Sequence, residues 1–146
     1  MKRSDALKAL SRQHHQGLVV AMRLKRSTPE TALQAREAFL DFWTSECRGH
    51  FRAEEEVLLP TFAEHASPDH EAVVRVLVEH VDLRRRRYAL VRDGDPRPEE
   101  LRELGERLEG HIRHEERVLF PLIEEALPED ELERLVAALE EAEAHG

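Results

Sequence analysis

The sequence predicts an all-α fold, an up-down-up-down antiparallel four-helix bundle with a short fifth helix at the C-terminus. Composition is the first reason: charged residues make up 36% of the chain and aromatics only 5%, with Leu, Ala, Glu and Arg prominent, as in long amphipathic helices rather than sheet. Periodicity is the second. Four stretches carry buried-type residues at alternating spacings of three and four, the seam by which a helix meets its neighbours. Third, the breaks between them are short, and short connections make successive helices antiparallel neighbours.

The first helix is expected over about 4 to 26, with the seam Leu7, Leu10, His14, Gly17, Ala21 and Leu24, closed by Ser27. Thr28-Pro29-Glu30 restarts the chain with a capping residue and Pro at the first helical position. The second helix then covers about 29 to 65, its seam running Leu40, Trp43, Cys47, His50, Glu54, Val57, Thr61. Ser67-Pro68-Asp69 punctuates before a third helix over about 69 to 92, with Val73, Val76, His80, Leu83 and Arg87 in line. Asp93-Gly94-Asp95-Pro96-Arg97-Pro98 is the clearest loop. The fourth helix follows to about 126, its seam Leu101, Leu104, Leu108, His111, Glu115, Val118, Leu122. Leu127-Pro128-Glu129 opens the fifth, over about 129 to 144. Pro60 and Pro121 remove the hydrogen bonds to the Glu56 and Arg117 carbonyls, so a kink or helix end is expected at each.

The chain's 146 residues suit one domain, 1–146, with the bundle at about 4–126. A single cysteine, Cys47, leaves no internal disulfide and suits a reducing compartment. No segment resembles a signal peptide or reaches the roughly 18 apolar residues of a membrane span, so a cytoplasmic location is expected. The net charge of -9 disfavours nucleic acid and anionic membranes as partners. The one basic run, Arg84 to Arg87, reads as a partly solvated helix surface that pairs with Glu on neighbours.

The chemistry is carried by a repeat. Residues 49–64 and 110–125 are identical at nine of sixteen positions, and each copy places a Glu four residues after a His: His50 with Glu54, His111 with Glu115. At that spacing an imidazole and a carboxylate share one helix face. Both pairs fall on the apolar seam, where an ionised carboxylate without a partner costs far more than a domain's net stability of roughly 5–15 kcal/mol. A charge there needs a cation or a proton. The other two helices each bring a seam histidine, His80 on the third and His14 on the first, with His15, about 100° away on a mixed flank, as the fallback. Gly49 and Gly110 precede the two histidines at a cost of about 1 kcal/mol each in a helix interior. Close helix approach and simple inheritance from a duplicated hairpin explain them equally well.

The order His, His-x-x-x-Glu, His, His-x-x-x-Glu, each pair followed by an apolar run and Pro, resembles the hemerythrin-like family, also called the HHE cation-binding domain, over roughly residues 4 to 126. The resemblance implies a four-helix bundle enclosing two iron ions, oxo- or hydroxo-bridged, with zinc or manganese as other occupants. It implies that His14 and His50 hold one iron, His80 and His111 the other, and that Glu54 and Glu115 bridge. An imidazole and carboxylate set suits iron. Oxygen-carrying members have a fifth His one turn before the His80 position, and here it is Val76. They also place the bridging carboxylate of the second pair five residues after its His, where Glu116 stands. One coordination position is therefore left for water, a further carboxylate such as Glu116, or an exogenous ligand. Ferritin-like di-iron bundles carry Glu-x-x-His instead, the reverse order.

The expected function is a non-haem di-iron protein that binds or senses O2, NO or iron, its partner a small diatomic ligand. The alternatives are a di-iron oxidoreductase acting on O2, peroxide or NO, and a structural bundle holding zinc or no metal. His114, one turn from His111 but off the seam, is given at most a flanking role. His65, His70 and His145 read as solvated, Trp43 and Tyr88 as packing anchors, and Cys47 as an inert buried thiol.

Overall fold

The computed structural model describes residues 3–144, so His145 lies outside the described residues. It is an all-α bundle with no strand among them. We number five helices: α1 (Asp5–Lys25), α2 (32–63), α3 (Glu71–Asp93), α4 (98–126) and α5 (Glu129–Ala144). Contacts between neighbours run in opposite senses. Arg3 on the N-terminal side of α1 pairs with Glu124 at the end of α4 (2.8 Å), whereas Lys25 at its other end pairs with Glu109 (2.8 Å). Arg36 near the start of α2 donates to the Leu90 carbonyl near the end of α3 (3.0 Å), and Arg86 reaches Glu103 across α3 and α4 (3.2 Å). No helix among the described residues is long and apolar enough to cross a membrane.

Two element starts differ from the sequence expectation. α2 begins at Ala32, because Thr28 first closes a tight turn with Thr31: the Thr31 N–H donates to the Thr28 carbonyl (3.1 Å) and the two hydroxyls meet (3.2 Å). α3 begins at Glu71, capped by His70, whose Nδ1 accepts from the Ala72 N–H (3.1 Å). Half-buried His70 is therefore a cap rather than a solvated side chain. After α3 the chain leaves the helix at Gly94, where φ is +82°, a conformation that favours glycine.

Neither proline ends its helix. α2 passes through two wide π-turns, Trp43–Cys47 and Glu54–Leu58, and α4 through one, Glu115–Leu119. In each the hydrogen bond spans five residues, from Arg48 N–H to Trp43, Leu59 N–H to Glu54 and Phe120 N–H to Glu115. The ring of Pro60 would crowd the Glu56 carbonyl in a regular turn. The wide turn just before it relieves that crowding, and the Thr61 hydroxyl donates to the Val57 carbonyl (2.7 Å).

Each wide turn inserts one residue and rotates everything beyond it by about 100°. The expected seams therefore fail past the glutamates. In place of Val57 and Thr61, Leu58, Leu59 and Phe62 are buried. In place of Val118, which is 42% exposed, and Leu122, Leu119, Phe120 and Ile123 are buried. Leu40 is likewise only half-buried, beside buried Phe39 and Phe42. Tyr88, expected as an anchor, is exposed with Arg92 over its ring, whereas Trp43 is buried.

The apolar interior falls into two clusters. One contains Leu7, Leu10, Leu58, Val76 and Phe120, closed by Leu135 and Leu139 of α5. The other gathers Leu24, Phe39, Trp43, Leu83, Leu104 and Leu108. α1 and α4 pack closely through glycine: a Cβ on Gly105 would stand 2.7 Å from the Ala21 carbonyl oxygen. Gly49 admits α5, since its Cβ would lie 3.3 Å from the Glu143 carbonyl, but Gly110 faces nothing within 4 Å. Close approach thus accounts for one glycine of the repeated pair and not the other. Gly105→Ala is expected to destabilise by about 1–3 kcal/mol through overpacking. Gly110→Ala is expected to stabilise by about 0.5–1 kcal/mol through helix propensity. Urea midpoints of the two variants check both signs.

Candidate metal centre

Between the two apolar clusters lie six buried polar side chains from four helices. Glu54 and Glu115 are 0% exposed, and His14, His50, His80 and His111 are each 5% or less. His14 stands on α1 between Leu10 and Gly17 of its buried stripe, while His15 is exposed. Two overlapping groups could each hold a metal ion: His14, His50, Glu54 and Glu115, and Glu54, His80, His111 and Glu115. The two glutamates belong to both.

Each carboxylate turns one oxygen to each group. Glu115 Oε1 is 2.8 Å from His14 Nε2 and 3.6 Å from His50 Nε2, and its Oε2 is 3.2 Å from His111 Nε2. Glu54 Oε2 is 3.1 Å from His50 Nε2, and its Oε1 is 3.0 Å from His80 Nε2. Within each group all ligand atoms lie within 4.8 Å of one another. Imidazole nitrogen and carboxylate oxygen bind a first-row cation at about 2.0–2.2 Å, so atoms across one ion stand up to about 4.4 Å apart. A small contraction makes the fit.

The outer nitrogens define the protonation state of the inner ones. His14 Nδ1 lies 2.6 Å from Glu116 Oε2, His50 Nδ1 2.8 Å from Gln13 Oε1, His80 Nδ1 2.6 Å from Glu55 Oε2, and His111 Nδ1 2.7 Å from Glu79 Oε1. A carboxylate only accepts, so the imidazoles donate there. The Gln13 amide is oriented the same way, because its Nε2 donates to Glu143 Oε2 on α5 (3.0 Å). A neutral imidazole that donates through Nδ1 points a lone pair from Nε2, and here that lone pair faces carboxylate lone pairs. His80 Nε2, His111 Nε2, Glu54 Oε1 and Glu115 Oε2 are buried with no hydrogen-bond partner. Acceptor facing acceptor in a dry interior requires a cation between them, or a proton on each Nε2.

Protons fill that role on His50 and His111 in the metal-free chain. Burial pushes His50 and His111 down, but Glu54 and Glu115 outweigh it and hold both up at about 10. His14 is likewise raised, with Glu115 and Glu116 overcoming its burial. Burial would raise Glu115, but His111, His14 and His50 hold it well below the usual carboxylate range. Metal binding at this place therefore releases protons.

The four outer contacts close a ring. Gln13 on α1 takes the histidine of α2, Glu55 on α2 that of α3, Glu79 on α3 that of α4, and Glu116 on α4 that of α1. Each of these residues is the immediate chain neighbour of an inner residue. Their carboxylates are held in turn by Arg84 on Glu55, Arg75 on Glu79 (3.0 Å) and Arg3 on Glu116 (3.2 Å). Sequence reasoning missed Gln13, Glu55 and Glu79, whose one signal is that adjacency. It offered Glu116 as a possible ligand, and the structure instead sets Glu116 on the outer face of His14, with the Ser11 hydroxyl donating to it (2.7 Å).

Aromatic rings fix two imidazole planes: Phe51 stacks on His80 at 3.7 Å and Phe120 on His14 at 5.3 Å between centroids. A cavity of about 20 Å³ adjoins the centre, lined by His14, His50 and His111 with Phe42, Cys47 and Leu108 among its walls. That is room for about one water-sized molecule. Burial raises the Cys47 thiol well above its ordinary range, and Glu54 and Glu115 add to it, so the sulfur stays protonated. His114 is buried but outside both groups, and neither ring nitrogen has a hydrogen-bond partner. His65 pairs with Glu131 at the surface.

A family model described as the hemerythrin HHE cation binding domain matches residues 5–123. No curated protein and no solved structure gives a significant match.

The pH dependence of the metal-free protein follows from these groups. His50 and His111 titrate near 10 when folded and at about 6.5 unfolded, so their stabilisation is complete below about pH 6.5 and is lost as pH rises through 10. Glu115 works in the opposite sense, stabilising above its ordinary 4.5 and losing that as acid protonates it. Thermal unfolding of chelator-treated protein should show a maximum between these limits and a decline towards pH 10, and a profile flat to pH 10 would contradict the pairing.

Proposed function

The chain belongs to the hemerythrin HHE cation-binding domain family, and from that premise we propose that it is a non-haem di-iron protein that binds or senses a small diatomic ligand, O2 or NO. One observation carries the proposal. Two buried His-and-Glu groups share Glu54 and Glu115, the arrangement two adjacent cations need if each carboxylate is to offset their mutual repulsion. His14 and His50 would serve one ion, His80 and His111 the other. The mixed imidazole and carboxylate donors suit iron. Iron, when bound, supplies redox chemistry and a coordination position for a small ligand.

The chain's own residues determine what reaches that position. Val76, at the place of the fifth histidine of oxygen carriers, is fully buried in the apolar cluster that contains Leu58 and Leu119. The cavity lies on the other side, against His14, His50 and His111, with walls from the second cluster. Phe42 and Glu46 line both this cavity and a surface groove formed with Gln16, Val19, Arg23 and Asp41, which supports a short route from solvent. The cavity's size favours a diatomic or a water over a larger substrate, and its phenyl and aliphatic walls suit an apolar gas. The Nδ1 contacts and the stacked Phe51 and Phe120 hold the imidazoles in one orientation as ligands come and go.

Protein purified without added metal is expected to carry close to two iron ions per chain, with near-ultraviolet charge-transfer absorption that changes on reduction and on exposure to O2 or NO. His50→Ala and His111→Ala should each lose at least one ion while far-ultraviolet circular dichroism is retained, and His15→Ala should lose none. Colourless protein with zinc or no metal would support the structural alternative. Leu108→Phe, which fills the cavity, should keep the iron and weaken azide or NO binding about tenfold or more, as expected when a close-packed site is occluded. Unchanged affinity would place the ligand elsewhere.

A further inference from the structure

Of the large apolar side chains that are exposed among the described residues, six lie on α3: Val74, Leu77, Val78, Val81, Tyr88 and Val91. They are not scattered. Leu77, Val81, Tyr88 and Val91 fall on one line of four, seven and three residue steps, with Arg84 filling the gap between Val81 and Tyr88, and Val74 and Val78 flank that line. This is the seam of a helix that meets another helix, yet it lies on the outer face of the bundle. The inner face of α3 is separately occupied by Val73, Val76, His80 and Leu83. Exposure reaches 61% at Val78 and 66% at Val81, whereas the other four helices together expose four large apolar side chains among the described residues, Val19, Met22, Leu33 and Val118. Contiguous apolar surface of this kind marks a contact site.

The pattern is symmetric about its centre. Val74 and Tyr88 each stand seven residues from Val81, two helical turns away on either side, and Leu77 and Arg85 each stand four away. Charge is divided across the same centre. Glu71 and Glu79 lie in the N-terminal half with Arg75, whereas Arg84 to Arg87 and Arg92 crowd the C-terminal half with Asp82 and Asp93. Laid in parallel, two α3 helices would set the exposed Arg85 and Arg92 against their own counterparts. Antiparallel, they bring Glu71 beside the partner's Arg92 and Val74 beside the partner's Tyr88.

We propose that the outer face of α3 is a homodimer interface, in which a second copy of this chain packs its own α3 antiparallel across a two-fold axis near Val81. One self-complementary patch used by both subunits is what a two-fold interface requires. The apolar line drives association and the divided charge sets its direction. Val74 to Val91 spans about 27 Å of helix at 1.5 Å per residue, and one such helix pair covers less than the roughly 800 Å² per partner of a standard interface. A dissociation constant of the order of 10 µM is therefore expected, with dimer forming as concentration rises.

Sedimentation equilibrium of the iron-loaded protein across a concentration series tests this. A monomer–dimer equilibrium is expected, with Val81→Glu weakening it at least about tenfold by setting two carboxylates against each other on the axis. Circular dichroism and iron content should be unchanged by that substitution, since Val81 is largely in solvent. Orientation is read separately. Under mild oxidation Val81→Cys should cross-link to itself, whereas Val74→Cys should not, but should cross-link to Tyr88→Cys when the two variants are mixed. A monomer at every concentration, a dimer indifferent to Val81→Glu, or self-cross-linking of Val74→Cys would each overturn the proposal.

Discussion

Two carboxylates with no access to water, Glu54 and Glu115, set the terms for the rest of the molecule. An unpaired ionised group in a dry interior costs more than the whole fold is worth, so neither is tolerable without positive charge beside it. The chain meets the demand with four imidazoles, one from each helix of the bundle, whose inner nitrogens all turn towards the two acids. Protons on His50 and His111 offset part of that charge when no metal is present. The apolar clusters on either side are complete in themselves, so the bundle does not need a metal to have a core. The polar layer is retained at a cost in stability, as expected of a functional site rather than of a structural one.

Orientation is enforced from outside that layer. Every imidazole is gripped at Nδ1 by a residue of the preceding helix in a closed circuit, and three of the four gripping groups are carboxylates anchored by arginine. The fourth, Gln13, is neutral and is tied to α5 through Glu143. An imidazole hydrogen-bonded to a carboxylate is a stronger donor than one bonded to an amide. The His14 and His50 half is thus the less electron-rich of the two, and both of its imidazoles line the cavity, to which the other half contributes His111 alone.

The fold class and the inner residues were legible because a helical repeat writes burial into the sequence at spacings of three and four. His14 was separable from His15 on phase alone, and the structure buries the first and exposes the second. What failed lay beyond each glutamate and, at Leu40, ahead of the first wide turn. A wide turn inserts one residue into the count, and no local propensity announces it, so Val57 and Val118 were read as core where Leu58 and Leu119 stand. The prolines three residues beyond the valines were the available clue, but they read equally well as a kink. Tyr88 was misread for a different reason: an aromatic ring looks like an anchor until its helix face is known. The outer acceptors Glu55 and Glu79 were invisible as individuals, because acidic residues are abundant in this chain and only the packing of neighbouring helices selects them.

The circuit of outer contacts also bears on how the protein meets metal during its synthesis. Its links join residues 37, 25, 32 and 102 apart in the chain, so none is local and the longest joins the first helix to the last of the four. A ribosome-bound fragment that has emerged only as far as α3 lacks His111 and Glu115 and leaves His14 ungripped. Such a fragment offers loose side chains rather than a chelating cage. Because closing long loops is the late part of folding, selective capture of a cation has to wait until α4 has emerged and packed, and a shorter nascent segment presents no cage to whichever ion it encounters first.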